Sequence, residues 1–169
     1  NPIGLLILFL PNMKVAFLDR DGVLNVDYGY VHTREKFVWV PGAIQAMQKL
    51  SNLGFKLIII TNQSGIARGF YTEKDFGELM KEVIDDLLTY KIEILDFFYC
   101  PHHIDGILKR YKINCECRKP KPGLIKQALA KYRIDLKNSI LIGDQESDII
   151  AGKTAGVGNC LSLIHISEP

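Results

Sequence analysis

Apolar residues along this chain fall into short continuous runs that alternate with longer stripes at helical spacing. Runs suited to buried strands cover Met13 to Leu18, Lys56 to Thr61, Leu95 to Tyr99, Ser139 to Ile142 and Asn159 to Leu163. Between them, Phe76, Leu79, Met80, Val83, Ile84, Leu87 and Leu88 recur at i, i+3, i+4 and i+7, which predicts an amphipathic helix over Thr72 to Tyr90. Thr72 followed by Asp75 resembles a capping box at its start. Pro41-Gly42 opens a second predicted helix through Leu53, ended by Gly54, and Pro122 opens a third with Leu124, Ile125, Ala128, Leu129 and Tyr132 on one stripe. A short helix follows Asp144. Strand and helix in alternation predict an α/β fold: a three-layer, Rossmann-like parallel sheet with helices on both faces and a ligand crevice at the carboxyl ends of the strands.

Length adds that 169 residues make one domain, with no internal repeat or linker that argues for a second. That domain is expected to run from residue 13 to 161. Residues 1–12 read either as upstream sequence or as an extra edge strand, and residues 162–169 as a truncated or foreign tail. A net charge of +2 with 24% charged residues makes no polybasic field, so neither nucleic acid nor an anionic membrane is called for, and a small ligand is expected. The apolar run Gly4 to Leu10 lacks a basic flank and is far shorter than the about 20 residues that cross a bilayer, so no targeting signal is read. A cytoplasmic monomer is the expectation.

The candidate chemistry lies at the ends of the predicted strands. Phe17-Leu18-Asp19-Arg20-Asp21-Gly22 ends the first run in two aspartates one residue apart, which a strand tip would aim at one small volume. Like charges that close resist joint ionisation. A nearby cation lets one carboxylate stay ionised as a nucleophile while the other is free to carry a proton, the division of roles that phosphoryl transfer needs. Asp144, after Gly143 at the fourth strand tip, joins Asp19 in an all-oxygen site suited to Mg²⁺. Asp148 would hold a metal-bound water or cap its helix. Thr61-Asn62-Gln63-Ser64-Gly65 supplies a hydroxyl, amides and backbone N–H groups for an anion, and Arg118, Lys119 and Lys121 add positive charge in a loop restrained by prolines. Cys100-Pro101-His102 with Cys115-Glu116-Cys117 offers three thiolates and one imidazole, the donor set of a closed structural Zn²⁺ site, with His103 as an alternative to His102. A disulfide fits less well, because one pair is separated by a single residue and the cluster holds an odd number of cysteines. Cys160 reads as a small buried apolar residue.

Asp19-Arg20-Asp21-Gly22, Thr61-Asn62-Gln63, Lys119 and Gly143-Asp144 resemble, in order, the four motifs of the haloacid dehalogenase superfamily of phosphohydrolases. Within it, Asn25 to His32, Thr61 to Gly69 and Cys100-Pro101-His102-His103 are similar to the D-glycero-D-manno-heptose 1,7-bisphosphate 7-phosphatases, and the zinc pattern is shared with histidinol-phosphatases. The likeness runs from Met13 to about Gly158. It implies a small zinc-bound loop in place of a large cap domain, and a phosphosugar substrate on the way to lipopolysaccharide core precursors. It further implies Asp19 as nucleophile, Asp21 as acid/base, and Mg²⁺ on Asp19, Asp144 and the Asp21 carbonyl. Thr61, Asn62, Gln63 and Lys119 would hold the phosphate, and Arg118 the remainder of the sugar phosphate. Asn25, Asp27 and His32 would belong to a substrate-facing loop. Two departures stand out: Gln145 occupies a position where family members often carry Lys, and the C-terminal helix of the family is missing. Histidinol phosphate as substrate, and an inactive zinc-stabilised binding module, are the competing expectations.

Overall fold

The computed structural model describes residues 12–163. Five parallel strands, β1 (Val15–Leu18), β2 (Lys56–Asn62), β3 (Ile94–Cys100), β4 (Ile140–Gly143) and β5 (Asn159–Ser162), form one sheet in the order β3-β2-β1-β4-β5. The connecting helices are α1 (Ala43–Asn52), α2 (Ser64–Ala67), α3 (Glu73–Thr89), α4 (Gly123–Lys131) and α5 (Glu146–Ala155).

Period-two alternation divides the core into two layers. Ala16, Leu18, Leu57 and Ile59 face one side of the sheet, where Met47 of α1 and Phe76, Met80, Val83 and Leu87 of α3 cover them. Val15, Phe17, Ile58 and Ile60 face the other, beneath Leu124, Ile125 and Ala128 of α4 and Ile149 and Ala155 of α5. The strands are continuous apolar runs because both faces are buried.

The predicted capping box is present: the Asp75 N–H donates to Thr72 Oγ1 at 3.1 Å and the Thr72 N–H to Asp75 Oδ2 at 2.8 Å. Two stripe residues depart from expectation. Leu88 is 53% exposed, since it lies twelve residues after Phe76 and so about 120° around the helix from it. Leu129 is exposed for the same reason, at the margin of the α4 stripe. The turn α2, inside the polar loop after β2, carried no periodic signal. Leu163 packs against the α1 side of the core, beyond the point where the tail was expected to begin, while residues 1–11 and 164–169, on which the terminal expectations otherwise fall, lie outside the described residues.

Strand order places the site. From β1 the chain moves outward to β2 and β3, then returns to the other side of β1 for β4 and β5. The connections therefore diverge at the carboxyl end of β1, the switch point where such sheets open a ligand crevice.

Candidate functional site

The carboxyl ends of β1, β2 and β4 meet at a cavity of about 470 Å³. The Asp19 N–H donates to the Ile142 carbonyl at 3.0 Å, which continues the β1–β4 pairing and fixes Asp19 at the cavity floor. Its Oδ1 accepts from Lys119 Nζ at 2.9 Å and from the Arg20 N–H at 2.8 Å. Lys119 is buried, pairs also with Asp148 Oδ1 at 2.6 Å, and donates to the Ile60 carbonyl at 2.9 Å.

Asp19, Asp144 and Asp148 bring carboxylate oxygens within 4.8 Å of one another. Three carboxylates thus gather near one ammonium. Burial pushes the Asp19 carboxyl up to about 7, with Lys119 opposing and Asp148 adding to the rise. Asp144 is likewise raised, first by burial. Burial works against the Lys119 charge, but Asp19 and Asp148 outweigh it and hold the ammonium above the ordinary lysine range. Asp144 Oδ1 is buried without a protein partner. A surplus of negative charge around an orphaned oxygen fits a hard divalent cation. Gly22 permits the approach: at φ +86° it takes a conformation glycine favours, and a Cβ there would lie 2.0 Å from Asp144 Oδ2.

Asp21 stands beside this group. Its Oδ1 accepts from Arg20 Nη2 at 2.7 Å and Asn25 Nδ2 at 3.0 Å, and its Oδ2 from Gln63 Nε2 at 3.1 Å. The same Gln63 nitrogen reaches Thr61 Oγ1 at 2.8 Å, and Gln63 Oε1 accepts from the Tyr71 hydroxyl at 2.6 Å. Arg118 also lines the cavity, and its Nη1 is buried without a protein partner.

Beyond β3 lies the second cluster. The Sγ atoms of Cys100 and Cys117 are 3.0 Å apart, those of Cys115 and Cys117 3.3 Å, and His102 Nδ1 is 3.4 Å from Cys117 Sγ. All four cysteines of the chain are free. Three sulfurs and one imidazole nitrogen drawn to one point are the donor set of a closed zinc site. His103 does not join them, because its Nδ1 accepts the Asp105 N–H at 3.0 Å. Glu73 ties the loop down: it accepts from Tyr111 at 2.5 Å and from Tyr99 at 2.8 Å.

The chain is similar to known proteins. A HAD-hydrolase-like family model matches residues 116–163. A D-glycero-alpha-D-manno-heptose-1,7-bisphosphate 7-phosphatase of Photorhabdus laumondii is 50% identical over 157 residues, 93% of this chain and 85% of that protein. The chain belongs to the heptose-1,7-bisphosphate 7-phosphatase family of HAD-like hydrolases. A D-glycero-beta-D-manno-heptose-1,7-bisphosphate 7-phosphatase of Escherichia coli is 42% identical over 94% of this chain and 82% of its own length. The crystal structure of a D,D-heptose 1,7-bisphosphate phosphatase from B. bronchiseptica, complexed with magnesium and phosphate, superposes with a TM-score of 0.77 at 31% identity, covering 87% of this chain and 79% of that one.

Set against this family, most residues singled out in the sequence converge on the cavity, and some do not. Asp19, Asp21, Asp27, Thr61, Asn62, Gln63, Arg118, Lys119 and Asp144 line it. Asn25 is wholly buried behind Asp21, with its amide directed to Asp21 and the Val26 carbonyl, and so faces no substrate. His32 lies outside the cavity and stacks on Tyr71, ring centroids 4.8 Å apart. The Asn62 amide is engaged by the backbone of Lys119, donating to its carbonyl at 3.2 Å and accepting its N–H at 3.1 Å, so it braces the lysine loop. Asp148 performs the capping role, its Oδ2 accepting the Gln145 N–H at 3.0 Å, and supplies the third carboxylate as well. Tyr30, within the Asn25–His32 segment expected to face substrate, lines the cavity, and Tyr71, which carried no sequence signal, is brought to the wall only by the fold.

Proposed function

We propose that this protein is a Mg²⁺-dependent phosphomonoester hydrolase that removes the 7-phosphate of D-glycero-D-manno-heptose 1,7-bisphosphate through an aspartyl phosphate. The observation that carries the reading is Asp19 at the switch point, in contact with Lys119 and grouped with Asp144 and Asp148. The 50% identical relative names the substrate.

Asp19 attacks phosphorus while Asp21 protonates the departing alkoxide; Asp21 then takes a proton from the water that hydrolyses the aspartyl phosphate. Asp19 and Asp144, with the Asp21 carbonyl, would hold Mg²⁺, which supplies charge neutralisation for the transferring group. Lys119 offsets the same charge from the other side, and Thr61 offers its hydroxyl to a phosphate oxygen while the Gln63 amide, its two N–H groups directed to Asp21 and Thr61, orients both. Arg118, which lines the cavity, would take the far phosphate of the sugar. Cys100, His102, Cys115 and Cys117 would hold a structural Zn²⁺ that folds the loop flanking the cavity. Among the described residues no helix is long and apolar enough to cross a membrane. Reduced thiols and the modest net charge support a cytoplasmic enzyme that acts as a monomer on a small phosphosugar, without nucleic acid.

The test is phosphate release from both anomers of the heptose bisphosphate, histidinol phosphate and a generic aryl phosphate, with Mg²⁺ present or chelated. Preference for a heptose bisphosphate, lost on chelation, supports the proposal. Preference for histidinol phosphate, or no release from any ester, contradicts it.

A further inference from the structure

Arg20 is the largest fully buried side chain among the described residues, 1% exposed. Its Nη2 donates both to Asp21 Oδ1 at 2.7 Å and to the Val31 carbonyl at 2.6 Å, and its guanidinium carbon lies 5.7 Å from the Phe76 ring centroid. Nε and Nη1 find no protein partner. A buried guanidinium with two unmatched donors is a poor source of stability, since desolvation offsets most of what the ion pair contributes. The pair is also lopsided: the arginine is in the core, while the Asp21 side chain keeps 21% of its surface open toward the cavity. Such an arrangement makes sense as a device that sets the orientation of the carboxylate.

The two oxygens of Asp21 are held differently. Oδ1 takes two donors, Arg20 Nη2 and Asn25 Nδ2. Oδ2 takes one, the Gln63 amide at 3.1 Å. That amide cannot turn over freely, because its Oε1 accepts from Tyr71 at 2.6 Å while its Nε2 also serves Thr61. Tyr71 is itself confined between the His32 ring and Gly65, where a Cβ would lie 2.2 Å from the Tyr71 ring. The carboxyl plane is therefore pinned from behind by a charge and from the side by an amide of fixed orientation.

We propose that Arg20 is a positioning residue for Asp21: by occupying Oδ1 together with Asn25, it reserves Oδ2 as the oxygen that carries the transferred proton. The proposal rests on the acid/base reading of Asp21 given above. In the first step the Oδ2 proton passes to the leaving oxygen as its bond to phosphorus breaks, and the electron pair stays on Oδ2. In the second, a water proton moves to Oδ2 while the water oxygen bonds to phosphorus and Asp19 departs with the electrons of its acyl phosphate bond.

The experiment compares kcat/KM, which reports steps up to loss of the leaving group, for an alkyl phosphate and for nitrophenyl phosphate, whose leaving group departs without needing a proton. Wild type, Arg20→Met, Arg20→Lys, Asp21→Asn and the Arg20→Met/Asp21→Asn pair are measured. Expected for Arg20→Met is a loss of about 10²-fold on the alkyl ester, the lower range for a general acid, with less than about 10-fold on the aryl ester. Arg20→Lys, which keeps the charge but lacks the planar fork, falls between and carries the same comparison if Arg20→Met does not fold. In the pair, the arginine change adds almost nothing to Asp21→Asn, because both act on one step. Equal losses on the two esters in the arginine variants, or multiplicative losses in the pair, overturn the proposal. Equal losses on both esters in Asp21→Asn overturn the acid role itself, which separates the two failures.

Discussion

The Lys119 ammonium lies 2.6 Å from Asp148 Oδ1, and both side chains are 2% exposed. Lys119 comes from the loop after the cysteine cluster and Asp148 from the first turn of α5, so this contact joins the zinc-type loop to the far half of the sheet. The pair also aims the lysine: with Asp148 on one side and the Ile60 carbonyl on another, Nζ is left pointing at Asp19.

Asp148→Asn is expected to be costly for that reason. Removing one partner of a buried ion pair typically costs 3–5 kcal/mol, and here the loss should be near about 3 kcal/mol because Asp19 still faces the lysine. Denaturant unfolding of the variant checks it. A change below about 0.5 kcal/mol, the scale of an ordinary surface substitution, would show that the contact adds nothing to the fold.

Metal removal should act on the loop before it acts on the sheet. If Cys100, His102, Cys115 and Cys117 hold zinc, a strong chelator exposes three thiols to a thiol reagent and lowers Tm. A loss of a few kcal/mol corresponds to about 10 °C for a chain of this length. Added Zn²⁺ should restore both readouts. Thiol reactivity that is already complete without chelator contradicts the assignment.

The Glu73 bridge predicts a pH effect with a definite sign. The Tyr111 hydroxyl, bonded to Glu73, holds its carboxyl below the ordinary 4.5, with Tyr99 assisting against some desolvation. A depressed pKa in the folded state means stability that is present above pH 4.5 and is lost as pH falls through the lowered value. Tyr111→Phe should therefore be less stable than wild type near neutrality, and the gap should narrow as the solution is acidified. A gap that widens toward low pH would contradict the bond as described.

Much of this was legible in the sequence, and the reasons differ by element. The two-sided burial of Val15 to Leu18 and Leu57 to Ile60 wrote continuous apolar runs that read directly as parallel strands, and Thr72 with Asp75 marked the start of α3. Asp19, Asp21 and Asp144 stood out because carboxylates at strand tips have few structural uses. The remainder was hidden because it depends on contacts distant in sequence. The bracing contact of Asn62 could not be read, because the Lys119 backbone that meets its amide lies 57 residues away. Asn25 was expected in a substrate-facing loop, and only the fold shows its turn folded back so that its amide meets Asp21. Nothing in the sequence marked Arg20 as buried; its 1% exposure comes from the fold alone.

The most direct test of the central claim is turnover of the heptose bisphosphate by Asp19→Asn beside wild type, both with Mg²⁺ and both shown to be folded. Under the proposed mechanism this substitution removes the nucleophile and closes the covalent route, so phosphate release should fall by at least about 10⁴-fold, to the detection limit, while wild type releases one phosphate per sugar and leaves the 1-phosphate in place. Full turnover by Asp19→Asn would contradict the account.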